Sequence, residues 1–267
     1  MDNTGKEHLD KIRDRFTTTA ESFSDFVLTK RAVEAELLAN MATEGMTLTA
    51  SSSALDLACG PGTLSLPLAA RFGYVVSLDF TAAMLQKAGQ FAERAGRGNL
   101  RLVRADAYAL PFLPETFDLS ACGYALHHLL EPGRVVQNLA QVVRRGGRVA
   151  LVDMMVPTGA DPDAGNAIER TRDPSHATTL RRSALKGLLQ DAGLRVLAAE
   201  TQERQRIFDD WMNVAGKAPG SPGYVEPRRL MRASAGADTA GYRPRRNETN
   251  GAIEFVQTSL ILIATKD

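Results

Sequence analysis

The chain has 267 residues, 44% of them apolar and 24% charged, with a formal net charge of +1 at pH 7. That length and balance suit one globular, enzyme-like domain, alone or with a smaller cap, and give no general electrostatic pull toward nucleic acid or an acidic membrane. Only two cysteines occur, Cys59 and Cys122, both in apolar runs, so they read as core thiols, not a disulfide framework. The four histidines, His8, His127, His128 and His176, form no zinc spacing with them. The start, MDNTGKEHLDKIRDRF, has no apolar signal segment, and no apolar run approaches a membrane span. A cytoplasmic protein is the expectation.

In chain order, residues 8–45 have helical spacing with a break near TTTAES, and predict two helices with apolar faces from Phe16, Phe23, Phe26, Val27 and Val33, then Leu37, Leu38 and Met41. Short apolar runs then alternate with helical segments. Strands are expected at 54–59, 74–79, 100–106, 117–123 and 147–154, with helices over 62–70, 81–93 and 132–144. A helix over 179–193 stops at Gly193, and strands at 194–200 and 253–266 follow. Near-continuous apolar strands joined by helices argue a parallel sheet covered on both faces. Two stretches exceed ordinary connections: 155–178, rich in Pro and Gly, and 213–251, rich in Gly, Pro and Arg. Each is a surface excursion or a substrate cover.

The junction LDLACGPGTLS carries the first chemistry. Gly60 and Gly62 allow a tight turn and close approach by a ligand. The dinucleotide fingerprint G-x-G-x-x-G is incomplete, because Ser65 stands at its last position, and the phosphate-loop pattern is absent. No basic residue lies in 54–70, while Asp56 adds negative charge, which favours a ligand with a positive end over a pyrophosphate. Asp79 ends the second strand, where a carboxylate can accept from a ribose diol or cap the next helix. Asp106 ends the third, as a base-edge ligand or a turn cap.

Together LDLACGPG, the spacing to Asp79 and Asp106, LPFLPETFDLSACGYALHHL and VVRRGGRVALVD resemble the class I S-adenosylmethionine-dependent methyltransferases. The likeness is strongest to their small-molecule branch, similar to ubiquinone and menaquinone C-methyltransferases. It covers roughly residues 12–200 and the last strand. It implies an α/β, Rossmann-like, seven-stranded, mostly parallel sheet with helices on both faces, an N-terminal helical cover (1–45) and a methyltransferase domain (46–267) with lid segments at 155–178 and 213–251. S-adenosylmethionine is the cofactor it implies. Asp56, Cys59, Gly60 and Gly62 would border the methionine portion, and Asp79 would hold the ribose. Phe80 and Met84 would lie beside the adenine, Asp106 and Ala107 would meet its edge, and Gly123 and Tyr124 would lie near the methyl. Phe16 and Phe23 resemble aromatic positions of the family's N-terminal cover.

The expected reaction is methyl transfer to C, O or N of a small organic acceptor, releasing S-adenosylhomocysteine. His127, in GYALHHLLEP, can deprotonate a phenol, enol or amine; the bland alternative is packing or capping by one of the adjacent pair. His176, in RDPSHATTL, either faces the acceptor or caps the following helix. Tyr124, Arg172, Trp211 and Met212 are candidate acceptor walls. The arginines 228, 229, 232, 243, 245 and 246 read as a solvated face, or as steering for an acidic acceptor. No metal site, nucleic-acid partner or membrane span is expected, and both a monomer and a homodimer fit. The rivals are a non-enzymatic cofactor-binding regulator, a sulfonium-assisted cyclase without methyl transfer, and a nicotinamide oxidoreductase, against which the missing third glycine weighs.

Overall fold

The computed structural model describes residues 3–267. It begins with three helices, α1 (Asn3–Thr18), α2 (Ala20–Lys30) and α3 (Ala32–Thr43), where the sequence predicts two. Breaks at Thr19 and Arg31 let three short apolar faces turn independently onto the body. The α/β core follows: β1 (Ser53–Leu57), α4 (Ser65–Ala69), β2 (Tyr74–Asp79), α5 (Ala82–Arg94), β3 (Leu100–Arg104) and β4 (Phe117–Gly123). After a 3-10 turn (Leu126–His128) come α6 (Pro132–Val142) and β5 (Val143–Val156). The remainder is α7 (Pro162–Arg172), β6 (Leu180–Arg181), α8 (Arg182–Asp191), β7 (Arg195–Ile207), α9 (Phe208–Val214), α10 (Val225–Ser234), β8 (Arg245–Arg246) and β9 (Ile253–Thr265).

The main strands run in the order β3-β2-β1-β4-β5-β9-β7. β1 to β5 are parallel, and β9 lies antiparallel between β5 and β7. The expected Rossmann-like sheet is therefore present. Among the described residues it has nine strands, because two-residue strands β6 and β8 add to the seven long ones. Such short pairings carry no apolar period and leave no trace in the sequence pattern.

Side chains alternate across the sheet and feed two apolar layers. Leu55, Leu57, Leu260 and Leu262 join α6 and α8 on one face. Ala54, Ile261 and Ile263 join α3, α4 and Phe72 on the other. Leu38 and Leu68 are fully buried there, positions where truncation to Ala costs about 2–5 kcal/mol. The two excursions are not loops. They contain α7 and α10, and with α9 and β9 they build a third apolar cluster from Ile168, Trp211, Met212, Met231, Tyr242 and Phe255. β7 runs to Ile207, beyond the predicted end at residue 200, with charged residues along an outer strand. A strand paired on one side only tolerates and even favours such residues, which blunt further pairing.

Among the described residues no helix is long and apolar enough to cross a membrane. In the basic excursion, Arg229 pairs with Glu226 and Arg243 with Glu203 on exposed surface, and Arg245 pairs with the half-buried Glu254.

Candidate functional site

Strand order reverses between β1 and β4, and a cleft opens at the carboxyl ends of these strands, the expected ligand position for an open α/β sheet. The cleft contains about 1640 Å³ of space not filled by atoms, its mouth included. Two non-glycine residues on its wall, Ala58 after β1 (φ 55°) and Tyr124 after β4 (φ 55°), have left-handed backbone. That conformation costs a side-chain-bearing residue about 1–2 kcal/mol, and here it turns the chain away from each strand end at the reversal point.

One end of the cleft is acidic. Asp56, Cys59, Gly60, Asp79, Phe80, Met84, Asp106, Ala107 and Gly123 all line the cleft. Gly62 does not. It has φ +87° and supports the turn from behind, with a Cβ there landing 3.4 Å from the Ala88 Cβ. Asp79 is clamped from two sides: the Gly60 N–H donates to Oδ2 (2.9 Å) and the Thr81 N–H to Oδ1 (2.8 Å). It thus fixes Thr81, the residue just before α5, and pins the glycine turn, so its carboxylate stands in a set orientation. Asp56 accepts from the Ser65 hydroxyl at 2.6 Å, and Ser77 donates to Ser65 at 2.7 Å. Burial pushes Asp56 up to about 7, with the Asp79 charge adding to it; burial also raises Asp79. Asp106 lies two residues past the end of β3 and accepts from the Tyr108 N–H at 2.9 Å.

Three observations fit this end to an amino-acid-bearing, cationic nucleoside. The carboxylates are met by hydroxyl and backbone N–H groups, not by cations. Nothing lies within 4 Å of a Cβ built on Gly60, so the turn presents an open cradle. The Thr63 Oγ1 on the cleft wall is buried without a hydrogen-bond partner. Sequence reading missed Thr63. Its signal was only its place in GPGT.

The other end carries the histidines. His127 is held twice by Asp153, through its backbone N–H (3.1 Å) and its Nδ1. That engagement leaves Nε2 as the nitrogen available on the cleft wall. His176 also lines the cleft, with its ring centroid 5.7 Å from that of His127. Its Nε2 meets Asn166 Oδ1 at 2.8 Å, and the same oxygen accepts from the Thr179 N–H. His176 therefore caps no helix, since α8 begins only at Arg182. Burial, then the neighbouring His127, pushes His176 down to about 3. His128 also lines the cleft, with Nδ1 on the Ser175 carbonyl, and burial likewise lowers it to about 3.

Phe16 and Phe23 meet edge to face at 5.2 Å on the wall supplied by the N-terminal helices. Trp211 lines the cleft under Arg172, whose guanidinium lies 4.2 Å from the ring centre. Met212 does not line it; successive helix positions face apart, and Met212 is fully buried in the third apolar cluster. Arg15 ties α1 to the excursions, pairing with Asp173 at 2.9 Å and donating to the Val214 carbonyl at 2.9 Å.

A family model described as a methyltransferase domain matches residues 55–151. The uncharacterized methyltransferase YcgJ of Bacillus subtilis is 29% identical over 192 residues, 70% of this chain and 72% of that protein. A solved YcgJ structure has a TM-score of 0.76 at 22% identity, covering 86% of this chain and 98% of that one. Demethylmenaquinone methyltransferase of Desulfitobacterium hafniense is 32% identical over 168 residues, 59% of this chain; the match spans 64% of that relative's length. A structure from Bacillus halodurans, provisionally described as a methyltransferase, has a TM-score of 0.77 at 25% identity, covering 88% of this chain and 99% of that one. With the domain match running from β1 into β5 and the fold likeness extending over most of the chain, this protein is related to the class I S-adenosylmethionine-dependent methyltransferases, small-molecule methyltransferases among them.

Proposed function

We propose that this protein transfers a methyl group from S-adenosylmethionine to C, O or N of a small organic acceptor, releasing S-adenosylhomocysteine. The observation that carries the reading is Asp79, oriented by the Gly60 and Thr81 N–H groups at the mouth of an open glycine cradle. In that orientation its remaining lone pairs suit a ribose diol. Asp106 and Ala107 border the place for a base, with Phe80 and Met84 on the same wall, and Asp56, Cys59 and Gly60 border the amino-acid end.

When bound, the cofactor supplies a methyl already activated on a sulfonium. The protein's tasks are alignment and exclusion of water. Gly123 allows close approach at the end of β4, and the aromatic wall of Phe16 and Phe23 closes the N-terminal side. His127 takes, at Nε2, the proton that the acceptor sheds. Asp153 holds the imidazole in the needed tautomer and balances the charge that forms. His176 is poorly suited to that role, because a base lowered to about 3 has little drive to accept a proton. It serves as a neutral wall beside His127.

The test is calorimetric titration with S-adenosylmethionine and S-adenosylhomocysteine on wild type and Asp79→Ala. Saturable binding to wild type, weakened about 100-fold or more in the variant, supports the cofactor reading; loss of a charged hydrogen-bonding group commonly has that size. No binding to folded wild type overturns it. Acceptor turnover read by product mass then separates methylation, which adds one methyl, from cyclisation at unchanged mass.

A further inference from the structure

The arginines of the cleft are unequally satisfied. Arg15 is paired with Asp173, and Arg172 with Glu169 at 3.4 Å. Arg204, behind the wall, is paired with Glu34 at 3.0 Å, and the Ser259 hydroxyl donates to the same carboxylate at 2.8 Å. Among the described residues Arg31 and Arg206, which both line the cleft, make no ion pair within 4 Å. Arg31 lies at the α2–α3 joint with its guanidinium 3.6 Å from the centre of the Tyr124 ring, and its Nε is buried without any hydrogen-bond partner. Arg206, on β7, is only 8% exposed. Its Nε and a terminal nitrogen donate to one neutral oxygen, Gln257 Oε1, at 3.3 and 3.1 Å.

Every element around these two groups has been drawn on. Glu34 of α3 is committed to Arg204, and Asp153 of β5 is committed to His127. From β9 come only the neutral Gln257 and Ser259, and from β4 Tyr124, whose hydroxyl burial and Glu34 push upward. Burial, followed by the charges of Arg31 and Arg204, lowers Arg206 to about 9. The charges of Glu34 and Asp153 reach Arg31, and that of Glu34 reaches Arg206, only from a distance and outweighed by burial. Two guanidiniums removed from water without an ion pair of their own are costly to the protein alone, and an arriving anion relieves that cost through charge-assisted, directional hydrogen bonds.

We infer that Arg31 and Arg206 form the anion subsite for the acceptor, and that the acceptor is an apolar organic acid whose carboxylate docks there while its body lies along Phe16, Phe23, Phe26 and Val27. The inference rests on the reading of this end of the cleft as the acceptor side. The apolar body follows from that wall, which is contributed by α1 and α2. The preference for acid follows from the unpaired arginines. It also separates the reacting partners by charge: a cationic cofactor belongs to the end holding Asp56, Asp79 and Asp106, and an anion is repelled from it.

The experiment titrates the full chain, with and without saturating S-adenosylhomocysteine, with naphthoate and decanoate, each beside its neutral amide. At least one acid is expected to bind about tenfold or more tighter than its amide to wild type, the usual scale for a charged hydrogen bond. That preference should vanish in Arg206→Gln and Arg31→Gln and return in large part in Arg206→Lys. No acid outbinding its amide on wild type overturns the inference whether or not the variants fold, and so does a preference kept in both folded Gln variants. S-adenosylhomocysteine binding to wild type, read in the same cell, reports on the methyltransferase reading separately: its loss sinks that reading while the acid-to-amide ratio still reports on the subsite.

Discussion

At one end of the cleft Asp56, Asp79 and Asp106 stand at or just beyond the carboxyl ends of neighbouring parallel strands; at the other, Arg15, Arg31, Arg172 and Arg206 come from α1, the α2–α3 joint, α7 and the outer strand β7. The acidic end is made of two local turns, Thr81 bonded to Asp79 and Tyr108 to Asp106, and one bond between adjacent strand ends, Gly60 to Asp79. The basic end draws mainly on long-range pairs, Arg15 with Asp173 and Arg204 with Glu34, beside the local pair of Arg172 with Glu169. A site repeated in many proteins can be built into the sheet edge once. A site for a particular acceptor is better built from the segments added around that edge, where loops vary at small cost to the scaffold.

The difference can be broken most sharply at His127. Replacing it with Asn should lower turnover about 10²–10⁴-fold, the span usual for loss of a positioned general base. S-adenosylhomocysteine affinity should stay within about twofold, because His127 is held by Asp153 and not by the acidic end. Steady-state kinetics beside calorimetry checks it, and a parallel loss of cofactor affinity would mean that the two ends are not separate units.

The ends should also answer pH with opposite signs. His128 and His176 are lowered to about 3 from 6.5, so the folded state keeps them neutral while the unfolded chain protonates. Their contribution is full above about 6.5 and is lost as pH falls toward 3, at about 1.4 kcal/mol per pH unit for each histidine. Denaturant melts over this range should therefore show a shallower acid loss in His176→Gln, whose amide can still donate to Asn166. An unchanged slope would refute the assignment of that proton. Asp56 behaves in reverse. Raised from 3.8 to about 7, it lets the folded state hold a proton that the unfolded chain has lost, so its contribution falls as pH climbs between those values.

The smallest expected effect follows from the same carboxyl. Ionisation of Asp56 near pH 7 adds a negative charge beside a cationic ligand. S-adenosylmethionine should bind a few-fold tighter at about pH 8 than at about pH 6, and this dependence should flatten in Asp56→Asn. Calorimetry at the two pH values decides it; a slope surviving unchanged in the variant would place the titrating group elsewhere.

Much of the acidic end was readable directly. A strand with near-continuous apolar residues ends at Asp79, another leads to Asp106, and GPG follows the first, so spacing alone puts these groups on one edge of a parallel sheet. Gly62 was misplaced onto the cleft wall because a glycine needed for left-handed backbone looks the same in sequence as one needed for a ligand. Met212 was misplaced because its neighbour Trp211 does face the cleft. Arg31, Glu34 and Arg206 gave no signal. A charged residue on a helix joint or along a polar strand ordinarily faces water, and nothing local tells that the strand packs beneath another helix.

Apolar period and turn chemistry therefore determined the sheet, its five parallel strands, the glycine turn and the carboxylates at the strand ends. Those properties act over a few residues, where backbone geometry leaves little choice. Tertiary structure alone decided that His127 is paired with Asp153, that Asn166 engages His176, that the excursions form a third apolar cluster, and that two arginines far apart in the chain share one cleft without carboxylate partners. Charge pairing and burial belong to distances in space, and a charged side chain acquires its energy only from what the fold sets beside it.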